Sequence, residues 1–232
     1  MHNRPSDPPA GGPRKRIGLV IPSSNTVVEP EAYRLLAGNP GISVHFSRIP
    51  VTVISGSEAS LAQFEIERIV AAGRLLADAK VEKLAWAGTA ASWLGFERDE
   101  SLANKLETAT GIAATTSLLA VNDELRRMNA RRIGLVTPYV AELEARIIAN
   151  YSAIGIDVVG ATRLNLIENT RFARISESEI EAMARGAAGQ RPEAIVVMCT
   201  NLRFAVRSAV VSAELGVPVV DSVAATVRAC LG

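Results

Sequence analysis

Short apolar runs alternate along this chain with longer segments in which apolar residues recur every three or four positions. Ile17–Ile21 reads IGLVI, a run typical of a buried strand, and Ile42–Ile49 alternates like a half-buried strand. Leu61–Ala79 carries its apolar residues at helical spacing. Strands separated by helices in this order predict βαβ units, a parallel sheet and an α/β fold class.

The pattern of elements restarts about 115 residues further along the chain. Arg131–Val136 (RRIGLV) repeats Lys15–Val20 (KRIGLV), and Glu193–Thr200 (EAIVVMCT) matches Glu82–Thr89 (EKLAWAGT). A matching order of elements at nearly one offset indicates duplication. The sequence therefore predicts two pseudo-symmetric lobes with mainly parallel sheets, with the active site in the cleft between them.

The repeat also defines the domain boundaries. The first predicted lobe spans residues 14–120 and the second spans residues 121–220. Residues 1–13 are rich in proline and glycine and lack an apolar run, which predicts a disordered tail without a signal peptide and hence a cytoplasmic protein. The charge-free stretch Leu84–Phe96 is too short and too polar to cross a bilayer.

Charge and residue usage narrow the function. Lys+Arg 25 against Asp+Glu 24 gives a net charge of +1, which argues against nucleic acid and an anionic membrane as partners. Two histidines (His2 and His45) and two distant cysteines (Cys199 and Cys230) do not form a convincing zinc set. Neither a dinucleotide fingerprint nor a P-loop occurs in the sequence. We therefore expect neither a metal nor a cofactor.

Four loops that follow predicted strands are rich in small hydroxyl and amide residues: Pro22–Thr26 (PSSNT), Gly88–Ser92 (GTAAS), Pro138–Tyr139 and Cys199–Asn201 (CTN). Ligands of α/β sheets bind beyond the carboxyl ends of strands, and free N–H groups at helix N-termini bind anions. Helix capping is the alternative role of such residues, and their recurrence in four loops favours an anion site. We expect the partner to be a small carboxylate substrate.

Cys199 is the strongest candidate for a chemical role. It ends a predicted buried strand and is expected to open a helix, a position that stabilises a thiolate and lowers the thiol pKa. The alternative is a small buried hydrophobic residue, which is the interpretation adopted for Cys230.

The residues of these loops resemble the maleate cis-trans isomerase and arylmalonate decarboxylase branch of the aspartate/glutamate racemase superfamily. PSSNTVVEPE at Pro22–Glu31 is similar to the isomerase opening motif, and CTNLR at Cys199–Arg203 is similar to the second-lobe cysteine motif. Tyr139 and Asn169 fall where this family has substrate-binding residues. The resemblance extends from Arg16 to the C-terminus.

The resemblance implies flavodoxin-like sheets, a site between the lobes and a C-terminal helix (221–232) that packs back on the first lobe. The resemblance also implies that Cys199 is the catalytic residue. The candidate substrate-binding residues are Ser24, Asn25, Gly88, Thr89, Ala90, Tyr139, Asn169, Thr200 and Asn201.

One position departs from the isomerase pattern. Racemases and maleate isomerases of this superfamily carry one cysteine in each lobe, whereas the repeat mate of Cys199 in this chain is Gly88. Glycine followed by threonine is the arylmalonate decarboxylase pattern, which implies an enediolate protonated by a single cysteine. Gly88 is also expected to leave room for the substrate.

The remaining residues leave alternatives open. The PSSNT loop, Asn25 and Asn169 are isomerase-like, and Ala90 lacks the hydroxyl of the decarboxylase motif. A maleate isomerase-like or racemase-like enzyme and a non-catalytic carboxylate-binding protein therefore remain alternatives. The sequence leaves open the substrate, the stereochemistry, a homo-oligomeric state, and whether Gly88 is natural or replaces a cysteine.

Overall fold

The computed structural model describes residues 14–232, so the predicted tail 1–13 lies outside the described residues. Two four-stranded parallel sheets have the strand orders β2-β1-β3-β4 and β6-β5-β7-β8. The strands are β1 (Lys15–Pro22), β2 (Ile42–Ile49), β3 (Lys83–Trp86), β4 (Ala114–Thr116), β5 (Arg132–Thr137), β6 (Asp157–Arg163), β7 (Ala194–Val197) and β8 (Val219–Asp221). The predicted α/β fold with two equivalent, parallel-sheet lobes is confirmed.

Helices cover both sheets. They are α1 (Val28–Leu35), α2 (Glu58–Leu61), α3 (Ile66–Asp78), α4 (Ala91–Leu94), α5 (Glu97–Thr110), α6 (Ser117–Arg127), α7 (Ala141–Ala153), α8 (Asn169–Phe172), α9 (Glu177–Ala187), α10 (Arg207–Leu215) and α11 (Ser222–Leu231). Among residues 14–232, no helix combines the length and the apolar character that a membrane span requires.

The helix predicted over Leu61–Ala79 is interrupted in the structure. A 3₁₀ turn (Ala62–Phe64) follows α2, and α3 begins only at Ile66. Glu65 has a ψ of 129°, an extended conformation that breaks the helical path. Apolar spacing alone does not reveal such a break, because apolar residues on both sides of it, such as Phe64 and Ile69, are buried.

The central strands are buried on both faces, as expected for parallel sheets covered by helices. β1 pairs with β2 along its whole length, from Lys15 opposite Ile42 to Pro22 opposite Ile49. β1 also pairs with β3, and β5 and β7 repeat this arrangement in the second lobe. The carboxyl ends of equivalent strands therefore point to the same end of each sheet.

The two lobes are connected through α6, and the proposed boundary between residues 120 and 121 falls inside this helix. α6 packs against α11. The Ser117 and Thr226 hydroxyls lie 2.6 Å apart, and Arg228 forms an ion pair with Glu124 at 2.8 Å. Asn122 of α6 accepts a hydrogen bond from the Tyr151 hydroxyl of the second lobe at 3.0 Å.

The C-terminal helix α11 lies on the first sheet. Asp221 caps it by accepting hydrogen bonds from the N–H groups of Val223 and Ala224 at 2.8 and 2.9 Å. Its buried residues Val223 and Val227 share one core cluster with Ile17 and Leu19 of β1. The last element of the chain thus completes the core of the first lobe.

Candidate active site

Side chains from the strand ends of both lobes meet in one hydrogen-bonded cluster. The Asn25 amide (Nδ2) donates to Thr200 Oγ1 at 3.2 Å, and the Thr200 hydroxyl donates to the Ala87 carbonyl at 3.0 Å. The Thr26 N–H donates to Asn201 Oδ1 at 3.1 Å. These bonds join the loop after β1, the end of β3 and the loop after β7. They therefore hold the two lobes together at this point.

The cluster continues through Asn169, the first residue of α8. The Asn201 amide (Nδ2) donates to the Asn169 carbonyl at 2.7 Å, and the Asn169 amide donates to Ser24 Oγ at 2.8 Å. The Ser24 hydroxyl in turn donates to the Val51 carbonyl. Asn25, Asn169 and Asn201 are buried and Ser24 is half-buried, so the polar groups of both lobes satisfy one another in a water-poor interior.

Tyr139 closes the site from the second lobe. Its hydroxyl lies 2.9 Å from Thr89 Oγ1 of the first lobe. Its ring packs edge-on against Trp93 and Phe172, with centroid separations of 4.6 and 5.8 Å. Burial, together with the nearby Cys199, raises the pKa of Tyr139 well above its ordinary value. Tyr139 is therefore a neutral hydroxyl that can donate a hydrogen bond.

Cys199 follows β7 and is only 3% exposed. Its Sγ accepts a hydrogen bond from the Asn201 N–H at 3.4 Å. Burial raises the pKa of the Cys199 thiol to about 11, although hydrogen bonds from Tyr139 and from backbone N–H groups act in the opposite direction. The resting side chain at neutral pH is a protonated thiol.

The expectation of a lowered thiol pKa was wrong for a structural reason. Residues 200–206 form turns, and the next helix, α10, begins only at Arg207. Cys199 therefore gains little from a helix dipole, while it carries the full cost of desolvation. The negative charge of Asp221, at the end of the neighbouring strand β8, raises the thiol pKa further.

Gly88 lies between Ala87, whose carbonyl binds Thr200, and Thr89, whose hydroxyl contacts Tyr139. The volume that a side chain at position 88 would need is already filled. A Cβ built at this position would lie 2.4 Å from Cε2 and Cζ2 of Trp86 and 2.7 Å from its Nε1. The indole of Trp86 occupies this volume.

The structure places every candidate residue in a segment that follows the carboxyl end of a strand. Ser24 and Asn25 follow β1, Gly88 to Ala90 follow β3, and Tyr139 follows β5. Asn169 opens α8 after β6, and Cys199 to Asn201 follow β7. Ala90 is buried beside Thr89 at the start of α4 and contributes only a methyl group and its backbone.

A short antiparallel ribbon joins the rims of the two lobes above this cluster. Val53 pairs with Glu168, the Ile54 N–H donates to the Ile167 carbonyl at 2.8 Å, and the Asn169 N–H donates to the Thr52 carbonyl at 3.1 Å. Tyr139, Cys199 and the three asparagines are all buried, so this arrangement is closed to solvent.

Two further residues lie at this site. Trp86 flanks the Gly88–Ser92 loop, where an aromatic residue can line a pocket or belong to the core, and nothing in the sequence indicates which way its ring turns. Asp221 is buried with one carboxylate oxygen (Oδ2) lacking a hydrogen-bond partner, and burial raises its pKa to about 7. Its position as the last residue of an apolar strand, directly before a helix, could have marked it. Within residues 14–232, no three His, Cys, Asp or Glu side chains group as a metal site.

A protonated thiol among amide and hydroxyl donors, at the junction of two α/β lobes, suits acid–base chemistry on a small carboxylate. The family described as arylmalonate decarboxylase matches residues 17–232, so the chain belongs to this family. The maleate isomerase of Nocardia farcinica is 32% identical over 193 residues, covering 80% of this chain and 76% of that protein. The arylmalonate decarboxylase of Bordetella bronchiseptica is 26% identical over 209 residues, covering 89% and 85%.

Solved structures show the same relationship. A cysteine-to-serine variant of the Nocardia farcinica maleate cis-trans isomerase, with a covalently bound succinylcysteine intermediate, superposes with a TM-score of 0.84 at 28% identity. The match covers 95% of this chain and 92% of the isomerase chain. Arylmalonate decarboxylase shares the fold, with a TM-score of 0.74 at 23% identity and coverage of 93% and 91%. The expected family is confirmed, and its named relatives are isomerases and decarboxylases.

Proposed function

We propose that this chain is a cofactor-independent decarboxylase of a small malonate-type diacid, with Cys199 as its single proton donor. The observation that carries the proposal is the asymmetry of the site. Cys199 presents a buried, protonated thiol from the second lobe, whereas the equivalent position of the first lobe is Gly88 with the Trp86 indole against it.

The proposed reaction uses these groups in turn. The donors around Thr89, Tyr139 and Thr200 hold one carboxylate, and the other carboxylate lies against an apolar wall where its charge is poorly solvated. The C–C bond to this second carboxylate breaks and CO₂ leaves. Its electron pair moves to the α-carbon and delocalises into the retained carboxylate as an enediolate, which preorganised donors stabilise. Cys199 then gives its S–H proton to the α-carbon, and the thiolate regains a proton from water.

The raised thiol pKa supports this role. A proton donor must be protonated at working pH, and a pKa of about 11 keeps Cys199 in that form. A nucleophile that adds to a double bond must instead be a thiolate, which burial disfavours at this position.

A maleate isomerase-like function is the second candidate, because the Nocardia farcinica isomerase is 32% identical to this chain. The isomerase-like residues Asn25 and Asn169 both lie in the cluster. In the structure of that isomerase a cysteine carries a covalent succinyl group. In this chain Cys199 would have to act as that nucleophile without a second thiol at Gly88, and this weakens the candidate.

The test is a screen of small diacids by NMR in D₂O, with maleate and phenylmalonate as the first compounds. We expect phenylmalonate to lose CO₂ and to give a product with deuterium at the α-carbon. Cys199→Ala should abolish turnover, Cys199→Ser should be poor because an alcohol is less acidic than a thiol, and Cys230→Ala should leave the rate unchanged. Conversion of maleate to fumarate without any CO₂ loss would favour the isomerase. Binding without any reaction would support a carboxylate-binding protein.

A further inference from the structure

Trp86 and Gly88 lie two residues apart, where β3 ends. The strand continues past Trp86, because the Ala87 N–H still donates to the Val20 carbonyl at 2.8 Å. Residues two apart on a strand face the same side of the sheet. A side chain at position 88 and the Trp86 indole would therefore compete for one volume.

The distances show that the Trp86 indole occupies this volume. The ideal Cβ position at Gly88 is 2.4 Å from two ring carbons of Trp86, and real Cβ atoms essentially never approach other atoms within 3.0 Å. The backbone gives no other reason for glycine here, since Gly88 is not among the glycines with positive φ. Glycine is needed at position 88 for space and not for its conformational freedom.

The indole cannot easily move aside. Trp86 is 1% exposed and lies in the core cluster with Phe64, Ile69 and Leu102. The adjoining cavity has a volume of about 10 Å³, which is too small to accept the ring. Overpacking a core of this kind forces side chains off their preferred rotamers or shifts the backbone.

We infer that Trp86 is a specificity-determining residue, whose indole excludes a second proton-transfer side chain from the first-lobe face of the site. Its ring provides an aromatic wall on that face. The indole N–H can donate a hydrogen bond but cannot accept one, so this wall cannot serve as a base. With Cys199 as the only acid, the proton reaches the α-carbon from the second-lobe face alone; this catalytic part rests on the proposed function.

The test is a double-mutant cycle between Gly88→Cys and Trp86→Leu, with Trp93→Leu as the matched control. Gly88→Cys alone should lower the melting temperature by roughly 2–12 °C. In the Trp86→Leu background the same change should cost little, because the new thiol fills the vacated volume. In the Trp93→Leu background it should cost as much as in the parent. An equal loss in all three backgrounds would overturn the steric inference.

The catalytic readout is the enantiomeric purity of the acid formed from 2-methyl-2-phenylmalonate. We expect one enantiomer from the parent and from Gly88→Cys, and a mixture from the double variant, whose second thiol has room beside the substrate. If the two substitutions are coupled in stability but the double variant still forms a single enantiomer, the specificity role of Trp86 is overturned. If the parent does not release CO₂ from any diacid, the proposed function fails, and the stability cycle still decides the steric inference.

Discussion

Asn201 connects three loops, and its replacement by aspartate would test how tightly the site depends on that connection. Its amide nitrogen donates to Asn169 O at 2.7 Å and lies 3.3 Å from Asn169 Oδ1, while its own oxygen accepts from the Thr26 N–H. Asn201→Asp keeps the shape and the acceptor but turns the donor into an oxygen. That oxygen would face two other oxygens in a position that is 1% exposed in the parent.

The expected cost follows from these contacts. Two donated hydrogen bonds are lost, each worth about 0.5–1.5 kcal/mol, and a buried carbonyl is left unsatisfied. Together these effects should lower the free energy of unfolding by roughly 2–4 kcal/mol, which is about 4–16 °C in melting temperature for a protein of this size.

The cost should also depend on pH. Burial beside oxygens raises the pKa of the introduced carboxyl above its unfolded value. Its destabilising effect is therefore smallest below about pH 4 and grows as pH rises through the folded pKa. Thermal unfolding at pH 5 and pH 8 measures this, with Asn39→Asp, the same change at an exposed loop position, as the control. Equal stability of the two variants at pH 8 would refute the role assigned to Asn201.

Three further predictions address the chemistry of the site. Tyr139→Phe keeps the packing on Trp93 but removes one donor, so kcat should fall about 10²–10³-fold with the melting temperature largely retained. Cys199 has a pKa of about 11 against an ordinary 9.0, so its alkylation by iodoacetamide at pH 8 should be about a hundredfold slower than that of a free thiol. Mass spectrometry follows the alkylation, and rapid labelling would contradict the burial of Cys199. Burial raises the pKa of Asp221 to about 7, so the stability it contributes is present below about pH 4 and is lost as pH rises through 7. Asp221→Asn keeps an acceptor for the helix cap, and its stability relative to the parent should rise by about 1–3 kcal/mol between pH 5 and pH 8; a pH-independent difference would refute this.

The sequence carried enough information to predict the lobes and the loops that form the cluster. The run Ile17–Ile21 and the restart of the pattern at Arg131 are local features, and one sequence is enough to detect them. The identity of Gly88 as the repeat mate of Cys199 came from the same alignment of the two halves. Local pattern and internal symmetry predict that these strand-end loops converge, whereas Asn169 is assigned to the site by the family resemblance alone.

The environment of individual side chains could not be predicted in this way. The thiol pKa of Cys199 depends on how deeply the side chain is buried and on where the next helix begins. Nothing in the sequence indicates that this helix begins only at Arg207. The rotamer of Trp86 depends on packing among residues far apart in the chain, such as Phe64 and Leu102. At the break at Glu65, Arg98 donates a hydrogen bond to the Phe64 carbonyl, a contact between distant residues that local apolar spacing does not record.

The exchange of terminal helices makes the two lobes inseparable as folding units. α11 completes the core over Ile17 and Leu19, although it is formed by the last residues of the chain. α6 belongs to the first repeat, but its Asn122 is bound by Tyr151 of the second lobe. A fragment ending after α6 would therefore leave one sheet face uncovered and one helix without its partner. Such a half-molecule would expose an apolar patch and associate with a second copy or aggregate, so the intact chain should unfold in one cooperative transition.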